Sequence, residues 1–460
     1  MDRLIEQRAI APTPGGVAQV TVQRQLRYDA RGRVKQIDDS RWGSTSYSYD
    51  RLGQLVEAKR ESLREVFKYD VAGALSRMIE GLESQAPTPW KTAPGDVLVA
   101  TGDAKYTHDK RGRRTVRLEL GRGDETGPAK VTDYVWDCRD RLREVRLPDG
   151  SRALYTYDAF GRRIRKEIVP KEPGRSRVVE LLWDDNALAV EIDSERGARA
   201  FVHFPGTLIP LLQQEKGEVF TYVNDQVGTP KELIDPAGRV AWAAAHSAWG
   251  RVIEAQSDPV GELNRGHKVN SPFRLLGQYA DEESGLVCTR HRYFDPSVGR
   301  WLSPDPLGVV GGVNLYSFSG APTTSVDPLG LDADLYRGER SSATPDKVFT
   351  QGIAPKGTNT DLLSHCKTNT AESHYVSTSE SKEIATGFAG KNGYVYVVDT
   401  NRAIDANKTL GDKAPFPEQL EHSVPGGVKP EEIKGAYKMK GGKITDEFIP
   451  NPNYIPPCQR

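Results

Sequence analysis

The sequence predicts a mainly β protein in which a long series of β-hairpins precedes a small α+β domain. An aromatic residue followed by Asp recurs along the first half of the chain, in most copies with a glycine three positions after the Asp. Large side chains alternate with smaller polar ones in residues 45–49 and 152–157, which is the period of a half-buried strand. The composition changes near residue 331: residues 1–331 contain 35 Arg and 12 Lys, whereas lysine outnumbers arginine in residues 332–460.

Each copy of the aromatic-Asp motif predicts one hairpin. A strand ends at the aromatic residue, the Asp side chain caps the turn, glycine supplies a positive φ, and a second strand returns. Because one hairpin cannot bury its own apolar face, successive hairpins are expected to pair edge to edge into an extended sheet. The copies with a glycine are Tyr28-Asp29, Tyr49-Asp50, Tyr69-Asp70, His108-Asp109 and Tyr157-Asp158, and the degenerate copies without it are Trp136-Asp137 and Trp183-Asp184.

The bulk composition argues against several classes of protein. The 63 basic and 63 acidic residues cancel, so net charge favours neither nucleic acid nor a membrane surface as partner. The sequence contains no apolar run that predicts a membrane-spanning helix, and residues 1–5 do not resemble a signal peptide, so export is expected to need a dedicated machine. The four cysteines have no metal-ligand spacing, so no metal site is predicted, and a disulfide between Cys366 and Cys458 stays open.

A denser set of motifs follows the repeats, including residues 225–230, 277–279, 290–296 and 299–308. This run resembles the Rhs-associated core, and the hairpin motifs resemble the YD repeats of Rhs and teneurin-like proteins, whose strands coil into a hollow shell. The resemblance covers about residues 25–330. It implies the C-terminal part of such a shell, because shells of this family are far longer. A β-rich solenoid without enclosure is the alternative for the repeats.

The tetrapeptide Asp-Pro-Leu-Gly occurs twice, beginning 22 positions apart. Two carboxylates held in turns can share a proton, which gives one acid and one base to activate water against a peptide carbonyl. Resemblance to Rhs proteins implies that Asp305 and Asp327 form such a pair, with Arg300 as a supporting residue. The same resemblance places self-cleavage between Leu331 and Asp332. The alternative is that both Asp-Pro steps are ordinary turns.

Residues 332–460 contain three polar motifs that suit one ligand. Arg337 lies near the first predicted strand, a Ser-Thr-Ser sequence lies on a second, and Glu421 comes late in the chain. Arginine binds phosphate in a bidentate manner, hydroxyl groups orient neighbouring side chains, and a carboxylate accepts a sugar hydroxyl while it stabilises positive charge. In a mixed α+β domain this set predicts cleavage of a glycosidic bond through an oxocarbenium-like state.

In order and spacing these motifs resemble the cholera-toxin-like branch of ADP-ribosyltransferases, over nearly all of residues 335–440. The resemblance implies that NAD⁺ is a substrate and that Arg337 binds it. Ser377, Thr378 and Ser379 would position the nicotinamide ribose and the catalytic carboxylate. Glu421 would hold the ribose 2′-hydroxyl and stabilise the oxocarbenium as nicotinamide leaves.

One position departs from the family pattern. Members that modify arginine carry Glu two positions before the catalytic Glu, where this chain has Gln419. A neutral amide cannot act as a base toward guanidinium. This favours an Asn-like side chain of a protein or a base of nucleic acid as acceptor. His365, His374 and His422 are expected to be ordinary surface or hydrogen-bonding residues.

The sequence therefore predicts three segments: a YD-repeat hairpin shell over 1–224, an Rhs-associated core or plug over 225–331, and an ADP-ribosyltransferase domain over 332–460. The implied function is an antibacterial toxin, released by self-cleavage and carried into the recipient cytoplasm by a contact-dependent system, expected to be type VI secretion. Its target would be an essential component, expected to be a protein or RNA of translation. An immunity protein and a secretion spike or adaptor are the expected partners.

Two alternatives remain open from the sequence. One is an NAD⁺ glycohydrolase toxin, in which water takes the ribose. The other is a YD-repeat surface binding protein without enzymatic activity.

Overall fold

The computed structural model contains two compact units, one formed by residues 1–304 with 316–330 and the other by residues 305–315 with 331–460. Antiparallel sheets dominate, and the predicted fold class, mainly β with a small α+β domain at the C-terminal end, is confirmed. The residues that the structure describes are 4–11, 19–30, 32–51, 53–61, 63–70, 75–80, 90–120, 129–205, 207–306, 314–318, 321–323, 327–330, 335–368, 372–379, 381–398, 400, 403–410, 413–419 and 421–454.

The first unit is built from hairpins in chain order. Its strands are β1 (Glu6–Ala11), β2 (Gln19–Tyr28), β3 (Val34–Asp39), β4 (Gly43–Tyr49), β5 (Leu55–Arg60), β6 (Leu63–Tyr69), β7 (Leu75–Glu80), β8 (Lys91–Ala93), β9 (Val97–Ala100), β10 (Ala104–His108), β11 (Arg114–Glu119), β12 (Lys130–Trp136), β13 (Leu142–Arg146), β14 (Arg152–Tyr157), β15 (Arg163–Val169), β16 (Arg177–Asp184), β17 (Ala187–Asp193), β18 (Gly197–His203), β19 (Pro210–Glu215), β20 (Glu218–Asn224), β21 (Pro230–Ile234), β22 (Val240–His246), β23 (Val252–Ser257), β24 (Tyr279–Asp281), β25 (Leu286–Cys288), β26 (Tyr293–Asp295) and β27 (Arg300–Trp301). One helix, α1 (Pro259–Arg265), follows β23.

These strands form three antiparallel sheets in which consecutive strands are neighbours. β1–β7 make a seven-stranded sheet, β8–β23 a sixteen-stranded sheet and β24–β27 a four-stranded sheet. Edge-to-edge pairing of successive hairpins is therefore confirmed. Strands β21–β23 continue the sixteen-stranded sheet beyond residue 224. The boundary predicted after residue 224 therefore falls within one sheet.

The turn after Tyr157 shows why the aromatic-Asp motif makes a hairpin. Asp158 Oδ1 accepts from the backbone N of Arg162 at 2.8 Å, and Asp158 Oδ2 accepts from Arg162 Nε at 2.7 Å. Gly161 has a φ of 77°, which an L side chain adopts only with strain. Tyr157 OH donates to the carbonyl of Leu142 at 2.6 Å, which fixes the aromatic ring against the preceding hairpin.

In four of the turns, an arginine four positions after the Asp also links the turn to the next one. Arg113 Nε donates to Asp109 Oδ2 at 2.7 Å, while Arg113 Nη1 donates to the carbonyl of Asp137 in the following turn at 2.6 Å. The guanidinium carbon lies 5.9 Å from the ring centroid of Trp136. Similar links run from Arg33 to the carbonyl of Asp50, from Arg141 to that of Asp158 and from Arg162 to that of Asp185.

The two degenerate copies of the motif also form hairpins. In the turn after Trp136, Asp140 takes the left-handed conformation with a φ of 60°, and its N donates to the carbonyl of Asp137 at 3.3 Å. Asp185, after Trp183, has a φ of 49°. Asp tolerates this conformation better than most residues, and Asp140 stands three positions after Asp137, where the other copies have glycine.

The motifs beyond residue 225 pack against the repeats. Leu286 and Tyr293 of the four-stranded sheet join Tyr134 and Tyr155 of the sixteen-stranded sheet in one buried apolar cluster. A buried ion pair joins the same two sheets, with Arg163 Nη1 2.6 Å from Asp281 Oδ2. Buried charges are tolerated only when they are paired in this way.

The second unit is a seven-stranded antiparallel sheet with short helices, in the strand order β31-β32-β29-β28-β30-β33-β34. Its apolar core includes Val376, Tyr396, Val424 and Ile433. The Ser-Thr-Ser sequence lies on a strand, as expected, and a helix follows over Lys382–Ala389. The elements are β28 (Leu335–Glu339), α2 (Pro345–Gln351), α3 (Leu362–Thr368), β29 (Tyr375–Ser379), α4 (Lys382–Ala389), β30 (Tyr394–Val398), β31 (Ile404–Asp405), α5 (Ala406–Leu410), β32 (Glu421–Pro425), β33 (Ile433–Lys440), β34 (Lys443–Pro450) and the 3-10 turns Pro417–Gln419 and Pro430–Glu432.

Candidate functional site

The three motifs of the C-terminal segment lie on three neighbouring strands. β28 pairs with β29 through Tyr336 and Ser379, and β29 pairs with β32 through Ser379 and Glu421. This register places Arg337, the Ser-Thr-Ser sequence and Glu421 on the wall of one cleft of about 810 Å³. The sequence predicted this convergence from order alone, and the structure brings these residues together.

Arg337 is held in a fixed orientation on the wall of the cleft. Its Nε donates to Glu339 Oε1 at 2.8 Å, and its Nη1 donates to the carbonyl of Ser377 on the next strand at 2.8 Å. The side chain is 21% exposed, so the guanidinium still faces the cleft. A guanidinium anchored in this way suits a phosphate group, because little side-chain entropy remains to be lost on binding.

Glu421 begins β32 and is 12% exposed. His365 Nε2 lies 3.1 Å from Glu421 Oε1, and Ser423 Oγ donates to the same oxygen at 3.1 Å. Burial alone raises the pKa of the Glu421 carboxyl, but hydrogen bonds from His365 and Ser377 outweigh burial and hold this pKa below its usual value. Glu421 is therefore a carboxylate at neutral pH.

His365 is the site residue that sequence reasoning missed. It lies on α3, is only 2% exposed and connects three side chains of the site. Ser373 Oγ is 2.7 Å from His365 Nδ1, and Ser377 Oγ is 2.9 Å from His365 Nε2. The Glu421 carboxylate can only accept, so the Nε2 that faces it carries a hydrogen, and Ser373 Oγ, which accepts from the N of Tyr375, can donate to Nδ1.

The members of the Ser-Thr-Ser sequence have different contacts. Ser377 Oγ belongs to the hydrogen-bonded group around His365. Thr378 Oγ1 donates to the carbonyl of His422 at 2.7 Å, and Ser379 Oγ donates to the carbonyl of Gln419 at 2.7 Å. Thr378 and Ser379 thus hold the chain on either side of Glu421, and Gln419 lies at the cleft.

Cys366 also lines the cleft, as do several basic and aromatic residues. Burial and the neighbouring Glu421 carboxylate raise the pKa of Cys366 to about 11, so this thiol stays protonated at neutral pH. Its suggested partner Cys458 lies outside the described residues. The basic and aromatic residues that line the cleft are Arg337, Arg340, Lys347, Lys356, Lys367, Tyr336, Tyr375, Phe388 and Phe416.

Among the described residues, no group of three or more His, Cys, Asp or Glu side chains is arranged to hold a metal ion. Within the same part of the chain, no helix combines the length and the hydropathy needed to cross a membrane.

The residues predicted for self-cleavage are divided between the two units. Asp327 belongs to the first, and Asp305, whose N donates to the carbonyl of Leu315 at 2.9 Å, belongs to the second. Leu331 and Asp332 lie outside the described residues. The pairing of the two aspartates therefore stays a prediction.

Arg300 and Arg292 have different surroundings in the first unit. Arg300 donates to the carbonyls of Leu75 at 2.6 Å and Asp96 at 2.8 Å, and burial lowers its pKa to about 10. Its supporting role in cleavage stays a prediction. Arg292, which the sequence analysis did not single out, places Nη2 3.2 Å from Asp327 Oδ2.

The family model described as Teneurin YD-shell matches residues 17–320. The chain belongs to the teneurin YD-shell family. Behind this YD shell, residues 335–454 match a second family model, described as Scabin-like. The predicted combination of an Rhs-type YD shell with an ADP-ribosyltransferase-like C-terminal segment is confirmed.

Matches to curated relatives and to solved structures extend over parts of this chain. Double-stranded DNA deaminase toxin A of Burkholderia cenocepacia is 30% identical over 353 residues, which is 70% of this chain and 23% of that protein. Toxin protein Tse5 of Pseudomonas aeruginosa is 29% identical over 373 residues, 67% of this chain and 27% of that protein. The chain thus spans about a quarter of the length of these relatives. A structure of the Scabin toxin from Streptomyces scabies is 30% identical, with a TM-score of 0.25, and the match covers 28% of this chain and 78% of that one.

Proposed function

We propose that the C-terminal segment, residues 332–460, is an NAD-dependent mono-ADP-ribosyltransferase that acts as an antibacterial toxin. One observation supports this most directly: Arg337, Ser377 and Glu421 lie on three adjacent strands and line one cleft. The match to the Scabin-like family over residues 335–454 points the same way. NAD⁺ is a substrate in this proposal.

The chemistry follows from the charges of the cleft. Arg337 binds the pyrophosphate, and the Glu421 carboxylate accepts the ribose 2′-hydroxyl. The bond between ribose C1 and the nicotinamide nitrogen breaks, nicotinamide leaves as a neutral base, and Glu421 stabilises the oxocarbenium charge. An acceptor nucleophile then forms a bond to C1 and loses its proton to water, because the amide of Gln419 cannot act as a base.

The first experiment separates transfer from hydrolysis. The full chain is incubated with NAD⁺ labelled in its adenylate part and with a bacterial lysate. Label on macromolecules supports a transferase, and protease or nuclease digestion of the product identifies protein, RNA or DNA as acceptor. Release of free ADP-ribose without any transfer would instead support an NAD⁺ glycohydrolase.

Paired variants test the catalytic assignment in bacteria. Glu421→Gln keeps the size of the side chain but removes its charge, and Glu418→Gln makes the same change at an exposed residue of the preceding turn. Growth arrest by wild type and Glu418→Gln, with recovery in Glu421→Gln, supports the enzymatic toxin. Equal toxicity of all three would favour the surface binding protein.

We further propose that the toxin is released by self-cleavage between Leu331 and Asp332. Asp305 and Asp327 form the catalytic pair: the ionised carboxylate takes a proton from water, the water oxygen bonds to the Leu331 carbonyl carbon, and the protonated carboxyl supplies the proton that lets the amine of Asp332 leave. N-terminal sequencing of a fragment that begins at Asp332, absent from Asp327→Asn, tests this step.

Delivery and protection complete the proposal. Because the curated relatives include a protein named toxin protein Tse5, we infer contact-dependent delivery, expected to be by type VI secretion, into the recipient cytoplasm. A secretion spike or adaptor carries the chain, and a dedicated immunity protein protects the producer. Killing of a sensitive competitor in mixed culture, lost in Glu421→Gln, tests delivery of the toxin into the recipient.

A further inference from the structure

Ser423 lies two positions after Glu421 on β32, and side chains two positions apart in a strand point to the same face. Its Oγ donates to Glu421 Oε1 at 3.1 Å. Ser423 is 0% exposed and does not belong to the residues that line the cleft. The hydroxyl of Ser423 therefore contacts the carboxylate from within the domain, where a bound substrate does not reach it.

The backbone of Ser423 is fixed by the strands on both sides of β32. Ser423 pairs with Ser377 on β29 and with Ile404 on β31. A serine side chain has only its χ1 rotation and the rotation of its hydroxyl left to fix once the backbone is held. Ser423 is thus a donor whose position is set before any ligand binds, which is the condition for preorganised catalysis.

The same oxygen of Glu421 has a second donor. His365 Nε2 lies 3.1 Å from Glu421 Oε1. His365 belongs to α3 and Ser423 to β32, so the two donors approach from different elements. Both side chains are buried, and hydrogen bonds shielded from water are stronger than exposed ones. Two fixed donors on Oε1 define where this oxygen lies and so orient the carboxylate.

The thiol of Cys366 contacts both Ser423 and Glu421. Burial and the Glu421 carboxylate raise the pKa of Cys366 to about 11, although a hydrogen bond to Ser423 acts in the opposite direction. The protonated thiol is a weak donor, whereas a hydroxyl can donate once and accept twice. Ser423 can therefore accept from Cys366 while its own proton stays directed at the carboxylate.

We propose that Ser423 is a positioning residue for Glu421: its hydroxyl holds Oε1 so that the carboxylate meets the ribose 2′-hydroxyl in the orientation that the reaction needs. The inference rests on the ADP-ribosyltransferase activity proposed above. The bond that breaks is the one between ribose C1 and the nicotinamide nitrogen, and Ser423 keeps its proton throughout. Because Ser423 acts through Glu421, it changes the rate of bond cleavage more than the binding of NAD⁺.

Two substitutions separate hydrogen bonding from packing. Ser423→Ala removes the hydroxyl and leaves a small gap. Ser423→Cys keeps a side chain of similar size but offers only a weak donor. A role as donor predicts that the cysteine variant resembles the alanine variant, whereas a role in packing alone predicts that it resembles wild type.

The experiment measures nicotinamide release from NAD⁺ by the full chain in reducing buffer, over a series of NAD⁺ concentrations and between about pH 4 and pH 8. Ser423→Ala is expected to lower kcat about tenfold, the value of one hydrogen bond to a charged group, and to change KM by less than about twofold. Ser423 is one of the donors that hold the pKa of Glu421 below its usual value. The alanine variant should therefore lose activity on acidification at a higher pH than wild type.

Thr400→Val is the matched control. Thr400 is buried in the same unit, outside the lining of the cleft, and its Oγ1 donates to Glu432 Oε1 at 2.7 Å. The substitution likewise removes a buried hydroxyl that is bonded to a carboxylate. It should keep the wild-type kcat and pH profile, and thermal unfolding of all variants shows that they are folded.

Two results would overturn the inference and leave the proposed function standing. One is a folded Ser423→Ala chain with the wild-type kcat and the wild-type pH profile. The other is a Ser423→Cys chain that matches wild type while Ser423→Ala does not, which reduces Ser423 to a packing residue. A wild-type chain that does not consume NAD⁺ removes the proposed activity and this inference together.

Discussion

The substitution His365→Ala tests whether the cleft depends on the hydrogen bonds around Glu421. It removes contacts of 2.7 Å to Ser373, 2.9 Å to Ser377 and 3.1 Å to Glu421. Burial, which raises the pKa of Glu421, remains in the variant, whereas the largest contact that lowers this pKa is gone. The carboxylate should therefore lose both its orientation and part of its preference for the ionised form.

The size of the effect follows from the kind of bond that is lost. A hydrogen bond to a charged group contributes about 1.5 to 3 kcal/mol, which corresponds to a rate loss of about 10- to 150-fold at neutral pH. Acid adds a second effect. Since the pKa of Glu421 rises in the variant, its activity should disappear on acidification at a higher pH than that of wild type.

Nicotinamide release from NAD⁺, followed chromatographically between about pH 4 and pH 8, measures both effects. His374→Ala is the matched control, because the rings of His374 and His365 contact the same residue, Tyr375, at 5.9 and 5.4 Å. The His374→Ala control should keep the wild-type rate and lose activity at the same acidic pH as wild type. A folded His365→Ala protein that matches wild type in both respects would refute the reasoning.

Three further substitutions test other parts of the structure. Glu421→Gln should slow NAD⁺ consumption by about 10²- to 10³-fold, while Glu418→Gln leaves it unchanged; equal rates would contradict the assignment. Gly277→Ala places a Cβ 2.1 Å from the carbonyl oxygen of Pro328, so it should displace this segment and slow the proposed self-cleavage of newly made chain, followed on gels. Cleavage at the wild-type rate would contradict this expectation. Asp158→Ala removes the hydrogen bonds that cap its turn and should lower the free energy of unfolding in urea by about 1 to 2 kcal/mol. Burial raises the pKa of Asp158, but those bonds hold it below the usual 3.8, so this stabilisation should be present above pH 3.8 and vanish below it.

The hairpins could be predicted from sequence because each turn is specified within a few residues. In the turn after Tyr157, the capping Asp158, the glycine and Arg162 lie within four positions of one another. Local chemistry of this kind can be recognised in any single copy. The degenerate copies were harder, since Asp140 replaces glycine only by adopting a left-handed conformation that its side chain tolerates.

The links between turns were beyond sequence reasoning. Arg113 bonds the carbonyl of Asp137, which is 24 positions away, and this contact exists only once neighbouring hairpins have paired. The same limit decides which residues of the cleft could be found from the sequence. Arg337, Ser377 and Glu421 were found because their order along the chain matches a known pattern, whereas the partners of His365 lie 8, 12 and 56 positions from it.

The repeated Asp-Pro-Leu-Gly sequence shows most clearly what tertiary structure adds. Nothing local distinguishes Asp305 from Asp327, but Arg292, 35 positions before the second, places a positive charge beside that carboxylate. In the proposed self-cleavage, a positive charge beside Asp327 favours Asp327 as the base and leaves Asp305 as the acid, so the two residues should differ in their tolerance of a neutral amide. Asp305→Asn retains a hydrogen-bond donor where a protonated acid is needed, whereas Asp327→Asn removes the base. Pulse-labelled full chain should therefore cleave faster in Asp305→Asn than in Asp327→Asn, and the opposite order would place the base on Asp305.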